Sequence, residues 1–195
     1  MKTEDIVRLA TGRRVLDIGC GQNKFAGAVG IDFAAGADQD VAHDLNEFPY
    51  PLEDASFDVL LLRNVIEHIQ NIVGMMKEIH RIGSDRADVI ISTPHFSSLY
   101  SYQDPTHVRH MAYDSMDYFT EDTKHANFYS DVRFRMVNKT IDFGRSFPFF
   151  LIARSLFFLS KHKYEKHFAF VFPANQLHYH LQVIKSNSRS HAGML

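Results

Sequence analysis

With a single cysteine, Cys20, the chain cannot build an internal disulfide framework. It also lacks an excess of either charge. The 21 Lys and Arg against 23 Asp and Glu leave a net charge of -2, so there is no general coat of basic residues for nucleic acid. No apolar run reaches the length of a membrane span, and MKTEDIVRLATG at the start has no apolar stretch of the kind a secretory signal needs. A cytoplasmic location is the expectation. Repeats, low-complexity tracts and linkers are missing too. The 195 residues therefore read as one domain, 1–195, large enough to bury a core.

What is present centres on VLDIGCGQNKFAGAVGID, Val15 to Asp32. Val15, Leu16 and Ile18 make a buried strand around Asp17, and Gly19 and Gly21 let the backbone turn sharply and approach a ligand closely. Gly30, Ile31 and Asp32 close a second strand, whose terminal acid is placed to accept hydrogen bonds from both hydroxyls of a ribose. The third glycine of GxGxxG is absent, Lys24 standing in its place, which counts against a pyrophosphate binder and so against a nicotinamide-dependent reductase.

The residues VLDIGCG, then VGID, then HDL ending at Leu45, then LEDASFDVLLLRNVIEHI from Leu52 to Ile69, resemble in that order the class I methyltransferases that use S-adenosylmethionine. The resemblance implies an α/β fold, a Rossmann-like, mostly parallel seven-stranded sheet with an antiparallel last strand. It implies S-adenosylmethionine as cofactor and S-adenosylhomocysteine as product. Asp17, Gly19, Cys20, Gly21 and Asp32 would form the cofactor cradle, Asp44 would accept the adenine amine, Leu45 would cover the ring, and Asn64 would line the donor pocket. One departure stands out. Only about six residues separate Gly21 from the second strand, where a crossover needs a dozen or more. The usual first helix is expected to shrink to a turn, leaving the cofactor pocket more open on that side.

Elsewhere the periodicities are plain. Thr3 caps a short helix stopped at Gly12, Val41 to Leu45 reads as a third strand, and Phe57 to Leu62 as the central fourth. Ile69, Ile72, Val73, Met76, Ile79 and Ile82 recur at helical spacing up to a stop at Gly83, and Val89 to Ile91 make a fifth strand. Asp114 or Ser115 starts a further helix. Val132 to Phe143 and Leu177 to Val183 alternate as a closing antiparallel pair, and the tail after Lys185 is polar and expected to fray.

The segment His95 to Tyr113, HFSSLYSYQDPTHVRHMAY, is richest in chemistry and follows a strand's carboxyl end, where ligands bind in such sheets. His95 or His107 is a candidate general base, oriented by Asp104; His68, Tyr102, Arg109, His110 and Tyr113 are candidates for the acceptor side, with Arg109 suited to an anionic group. DPTH resembles small family members acting on small molecules or glycan precursors. These residues give an expected O-methyl transfer to a small-molecule or glycan or lipid-precursor acceptor. An inactive, partner-docking methyltransferase-like subunit is the alternative. Histidine and carboxylate suit a metal, but the spacing matches no helical HExxH pair and no metal site is assigned. Finally, an aromatic insertion, 144–176, precedes the last strand. Three readings stay open for it: a lid over an apolar substrate, peripheral membrane contact through 147–172, and a homodimer interface or ordinary packing.

Overall fold

The computed structural model describes residues 3–121 and 131–185; the polar tail beyond Lys185 lies outside them. Seven strands form one sheet: β1 (Val15–Ile18), β2 (Val29–Asp32), β3 (Val41–Ala42), β4 (Phe57–Arg63), β5 (Gly83–Pro94), β6 (Arg133–Asp142) and β7 (Gln176–Ile184). Their spatial order is β3-β2-β1-β4-β5-β7-β6. The first five are parallel neighbours, and β7 runs antiparallel to both β5 and β6. The expected Rossmann-like sheet is therefore present. Chain direction around β1 and β4 switches from one side of the sheet to the other, and a crevice at their carboxyl ends is the natural ligand site.

The central strands are mostly apolar because both faces are covered. Leu16, Ile18, Leu60 and Leu62 point into the main core with Met75, Met76, Ile79 and Ile82 of helix α2 (Ile72–Ile82). On the other face, Val15, Val59, Leu61 and Ile90 form a smaller cluster covered by Ile6, Leu9 and Ala10 of helix α1 (Thr3–Ala10) and by Phe25. Asn71 caps α2 by accepting from the Gly74 amide at 2.9 Å. Gly74 has a packing reason to sit inside a helix, since a Cβ there would lie 2.7 Å from the Phe48 ring.

Several boundaries differ from the sequence expectation. α2 starts at Ile72, not Ile69, because its cap is Asn71. Gly83 is no left-handed stop, having φ -69, and the chain passes straight from α2 into a twelve-residue β5 that already pairs at Phe57. Its smallness serves contact: a Cβ would come within 2.9 Å of Val183 and 3.0 Å of the Ile79 carbonyl. β3 keeps only two residues, since Asp44 and Leu45 fold into the turn that follows. The helix expected after Asp114 is a single turn of 3-10 geometry, Ser115–Phe119.

The shortened first crossover is borne out, with no helix between β1 and β2. The insertion carries helix α3 (Phe149–Leu159) and a further turn through Phe168. It buries Ala153, Phe157, Tyr164 and Ala169 in the main core, which makes it partly ordinary packing, and leaves Phe147, Phe158, Leu159, Phe170 and Val171 exposed. No described helix is long and apolar enough to cross a membrane.

Candidate functional site

The turn after β1 is shaped by close approach. Gly19 has φ +66, and a Cβ on it would meet Val65 Cγ2 at 2.5 Å, so the turn lies directly against the residue after Asn64. Gly21 also has a positive φ of +53, yet nothing stands within 4 Å of its Cβ position. One glycine packs and the other opens onto free space. Asp32 holds the turn from β2, its Oδ2 accepting from the Gly21 amide and its Oδ1 from the Ala34 amide, both at 2.9 Å. Each carboxylate oxygen keeps a further lone pair. Asp17 is fully buried; its Oδ2 accepts from the Phe25 amide and from Arg63, while Oδ1 has no partner.

Beside this turn, at the carboxyl ends of β4 and β5, lies a cavity of about 810 Å³. Asn64, Glu67, His68, Pro94, Asp104 and His107 line it, with Tyr100 and Gln103 above and Asp142, Asn175 and Gln176 from the β6 and β7 ends. Asn64 adopts φ +56, and its Oδ1 accepts from Gln176 Nε2 at 2.8 Å, which ties the end of β4 to the start of β7. Val65 leads into a single 3-10 turn, Ile66–His68, that sets Glu67 and His68 side by side.

A loop folds over this turn and is strapped to it by the backbone. The Glu67 carbonyl accepts from the Val108 and Arg109 amides at 3.0 and 3.1 Å, and the Arg109 guanidinium donates to the carbonyls of Ile69 and Gln70. That strap brings His107 against His68, ring centroids 4.6 Å apart and edge to face. Glu67, 1% exposed, receives a hydrogen bond from Thr93 on Oε2, whereas Oε1 has no partner. Burial pushes its carboxyl up from the usual range.

Hydrogen bonds assign the ring protons. Asp104 accepts from the Thr106 amide and from its hydroxyl, which together hold the Asp104 carboxyl below its usual range. Since the one Thr106 hydroxyl proton goes to Asp104, His68 Nδ1, 2.9 Å from that hydroxyl, must donate to it. His107 Nδ1 lies 3.2 Å from the Ser101 carbonyl, an acceptor only, and so also carries its proton. In the neutral form each ring then keeps its lone pair on Nε2.

Comparison with known proteins now decides the family. Residues 3–143 match the model of a methyltransferase domain. No curated protein matches the sequence significantly. Among solved structures, an S-adenosylmethionine-dependent methyltransferase from Archaeoglobus fulgidus superposes with TM-score 0.59 at 18% identity, over 92% of this chain and 90% of that one. One from Mesorhizobium loti gives 0.52 at 14% identity, over 88% and 91%. A Haemonchus contortus phosphoethanolamine N-methyltransferase in complex with phosphomonomethylethanolamine and S-adenosylhomocysteine gives 0.56 at 16%, covering 93% of this chain and 51% of that one.

The chain belongs to the class I S-adenosylmethionine-dependent methyltransferases.

The cradle of this methyltransferase fits its cofactor. Free space at Gly21, spare lone pairs on Asp32 and the unpartnered Oδ1 of Asp17, an acceptor suited to an ammonium, are the features a sulfonium amino acid joined to a nucleoside would use. Three of the residues expected around the cofactor have partners within the fold. Cys20 is buried, Sγ against Gly30, and burial together with Asp32 and Asp17 pushes its thiol up, so it fills space. Leu45 is buried in the core rather than covering a ring, and its carbonyl accepts from the Tyr50 hydroxyl. Asp44 Oδ1 accepts from the Asn46 amide, a turn-capping role.

Of the residues expected at the reaction centre, His68, Asp104 and His107 line the cavity. His95 does not: it is wholly buried, with Nδ1 2.8 Å from Ser97 Oγ and Nε2 3.1 Å from Glu165 Oε1, so it joins β5 to the insertion. Arg109 does not line the cavity, and its Nε and Nη2 donate to main-chain carbonyls. Tyr102 stacks on His110 outside the cavity, with His110 Nδ1 on Ser101 Oγ, and Tyr113 is buried with its hydroxyl on the Lys139 carbonyl. Sequence reading placed neither Thr106 nor Glu67 in the site. Asp142, Asn175 and Gln176 were missed as well, because β6 and β7 bring them to the cavity only by pairing, Asp142 opposite Gln176.

Proposed function

We propose that this methyltransferase moves the methyl group of S-adenosylmethionine to a hydroxyl oxygen of a small polar acceptor, a free small molecule or a glycan or lipid precursor, held in the cavity beside Asn64. The observation that carries the reading is the wall of His68 and His107, which in their neutral forms keep Nε2 lone pairs for a hydroxyl in the cavity lined by Asn64. The cofactor supplies an activated methyl group on a sulfonium. The chain supplies alignment and dryness: in-line displacement gains most from holding nucleophile, methyl carbon and sulfur on one axis. His107, its Nδ1 proton fixed by the Ser101 carbonyl, receives the hydroxyl proton at Nε2 as the new bond forms. His68 is held in the same tautomer through Thr106 and Asp104.

The cavity volume falls within the range for small-molecule sites, and its mixed polar lining suits an acceptor carrying several hydroxyl or amide groups. The test is transfer of labelled methyl from S-adenosylmethionine to a panel of sugars, phenols and hydroxy acids. His107→Asn should lower kcat roughly a hundredfold or more with S-adenosylhomocysteine binding unchanged. Full turnover in that variant, or methylation only at nitrogen or carbon, refutes the hydroxyl reading.

A further inference from the structure

Glu67, His68 and His107 each offer one ligand atom to a common point, those atoms lying within 4.8 Å of one another. The arrangement lacks something electropositive. Glu67 Oε1 is buried without a partner, an unfavourable state for a carboxylate oxygen. The two ring nitrogens left free are both lone-pair atoms, because each Nδ1 has given its proton outward. Three acceptors share one wall of the cavity, and among the described residues no side-chain donor is hydrogen-bonded to the Glu67 Oε1 atom. Asp104 adds negative charge close by, its Oδ2 3.9 Å from His107 Nε2 and beyond hydrogen-bond distance.

We propose that Glu67 Oε1 and the Nε2 atoms of His68 and His107 hold a divalent transition-metal ion. Two imidazoles and one carboxylate are a donor set suited to Mn²⁺, Fe²⁺, Co²⁺ or Zn²⁺, and three protein ligands leave positions open toward the cavity. Bonds of about 2.1 Å around one ion place ligand atoms roughly 3–3.5 Å apart, so an ion would draw the three residues closer than the 4.8 Å within which their ligand atoms lie. The outer partners are already those a metal site needs. The His68 Nδ1–H donates to Thr106, which donates to Asp104; the His107 Nδ1–H donates to a carbonyl; and Glu67 Oε2 accepts from Thr93.

What the ion does rests on the hydroxyl reading above. An acceptor hydroxyl bound at an open position loses its proton to water more readily, and its oxygen then attacks the methyl carbon. The carbon–sulfur bond breaks, the electron pair goes to sulfur, and the neutral thioether leaves. With its Nε2 lone pair committed to the ion, His107 no longer accepts the proton, and only the hydroxyl acceptor of the reading above is kept: the ion takes the place of His107 as the agent that activates the oxygen.

The experiment is calorimetric titration of chelator-treated full-length protein with Mn²⁺ in the presence of S-adenosylhomocysteine. One Mn²⁺ per chain is expected, with Glu67→Gln and His107→Asn each weakening it at least about tenfold and Thr106→Ala, a positioning residue, weakening it roughly tenfold or more. Unchanged S-adenosylhomocysteine binding shows that each variant is folded. Absence of Mn²⁺ and Zn²⁺ binding to the wild type, or binding untouched by Glu67→Gln, overturns the site. The two readings separate cleanly. Methyl transfer that survives chelation, without metal binding, leaves the hydroxyl reading and removes the ion. Metal bound at Glu67 with no hydroxyl acceptor methylated does the reverse.

Discussion

Gly19 and Gly21 share a backbone conformation but should fail in different ways when given a methyl group. At Gly19 an alanine carries two penalties. The left-handed conformation costs about 1–2 kcal/mol, and a Cβ 2.5 Å from Val65 Cγ2 adds overpacking of about 1–3 kcal/mol. The total, roughly 2–5 kcal/mol, should lower Tm by about 4–20 °C in a domain of this size. At Gly21 only the conformational penalty applies, because no atom stands within 4 Å. Gly21→Ala should therefore lose about 1–2 kcal/mol of stability. Its methyl group occupies the space kept for the cofactor, however, and the same overpacking range applied to the complex predicts roughly 5- to 150-fold weaker S-adenosylhomocysteine binding. Thermal unfolding with and without S-adenosylhomocysteine, together with calorimetry, measures both effects. Val65→Ala supplies the control, since it removes the two methyl groups that Gly19→Ala meets and should relieve the overpacking part of that loss, not the backbone part, while leaving Gly21→Ala unaffected. Gly21→Ala binding as tightly as wild type would refute the placement of the cofactor against this turn.

Two further outcomes follow from the same geometry. Asp32→Ala should abolish measurable S-adenosylhomocysteine binding by calorimetry, and it should also cost about 1–3 kcal/mol of stability because the Gly21 and Ala34 amides lose their acceptor; binding equal to wild type would remove the ribose assignment. Burial pushes Asp88 up, but hydrogen bonds from His180 and Arg13 outweigh it and hold the carboxyl below its usual range. A depressed native value contributes stability that is full above the ordinary carboxylate range and is lost as pH falls through the native value. Urea unfolding across the acid range should show a steeper loss in wild type than in Asp88→Asn.

Much of the fold was legible because it depends on period and punctuation. VLDI, FDVLLL and the alternation from Leu177 to Val183 are strands by composition and spacing, and their order with the glycine turn between them specifies a doubly wound sheet. The short crossover could be counted directly. Boundaries set by contacts were less legible: Gly83 looks like a helix stop, yet it is small because Val183 and the Ile79 carbonyl crowd it, and that crowding exists only once β7 lies beside β5.

The candidate site divides in the same way. Sequence alone determined the glycine turn and the acid beside it, since Gly19, Gly21 and Asp32 lie on adjacent strand ends and their backbone geometry is set within a few residues. It also pointed to a histidine-rich loop after β5. Which histidine faces the cavity was decided only by tertiary structure. His95 continues directly from β5 and is drawn inward to Ser97 and Glu165, the latter 70 residues along the chain. His107 is turned onto His68 because the Glu67 carbonyl and the Arg109 guanidinium strap two distant segments together. Periodicity records which face of an element is buried; it holds no record of which loop folds over which, because that is set by hydrogen bonds between residues some forty positions apart.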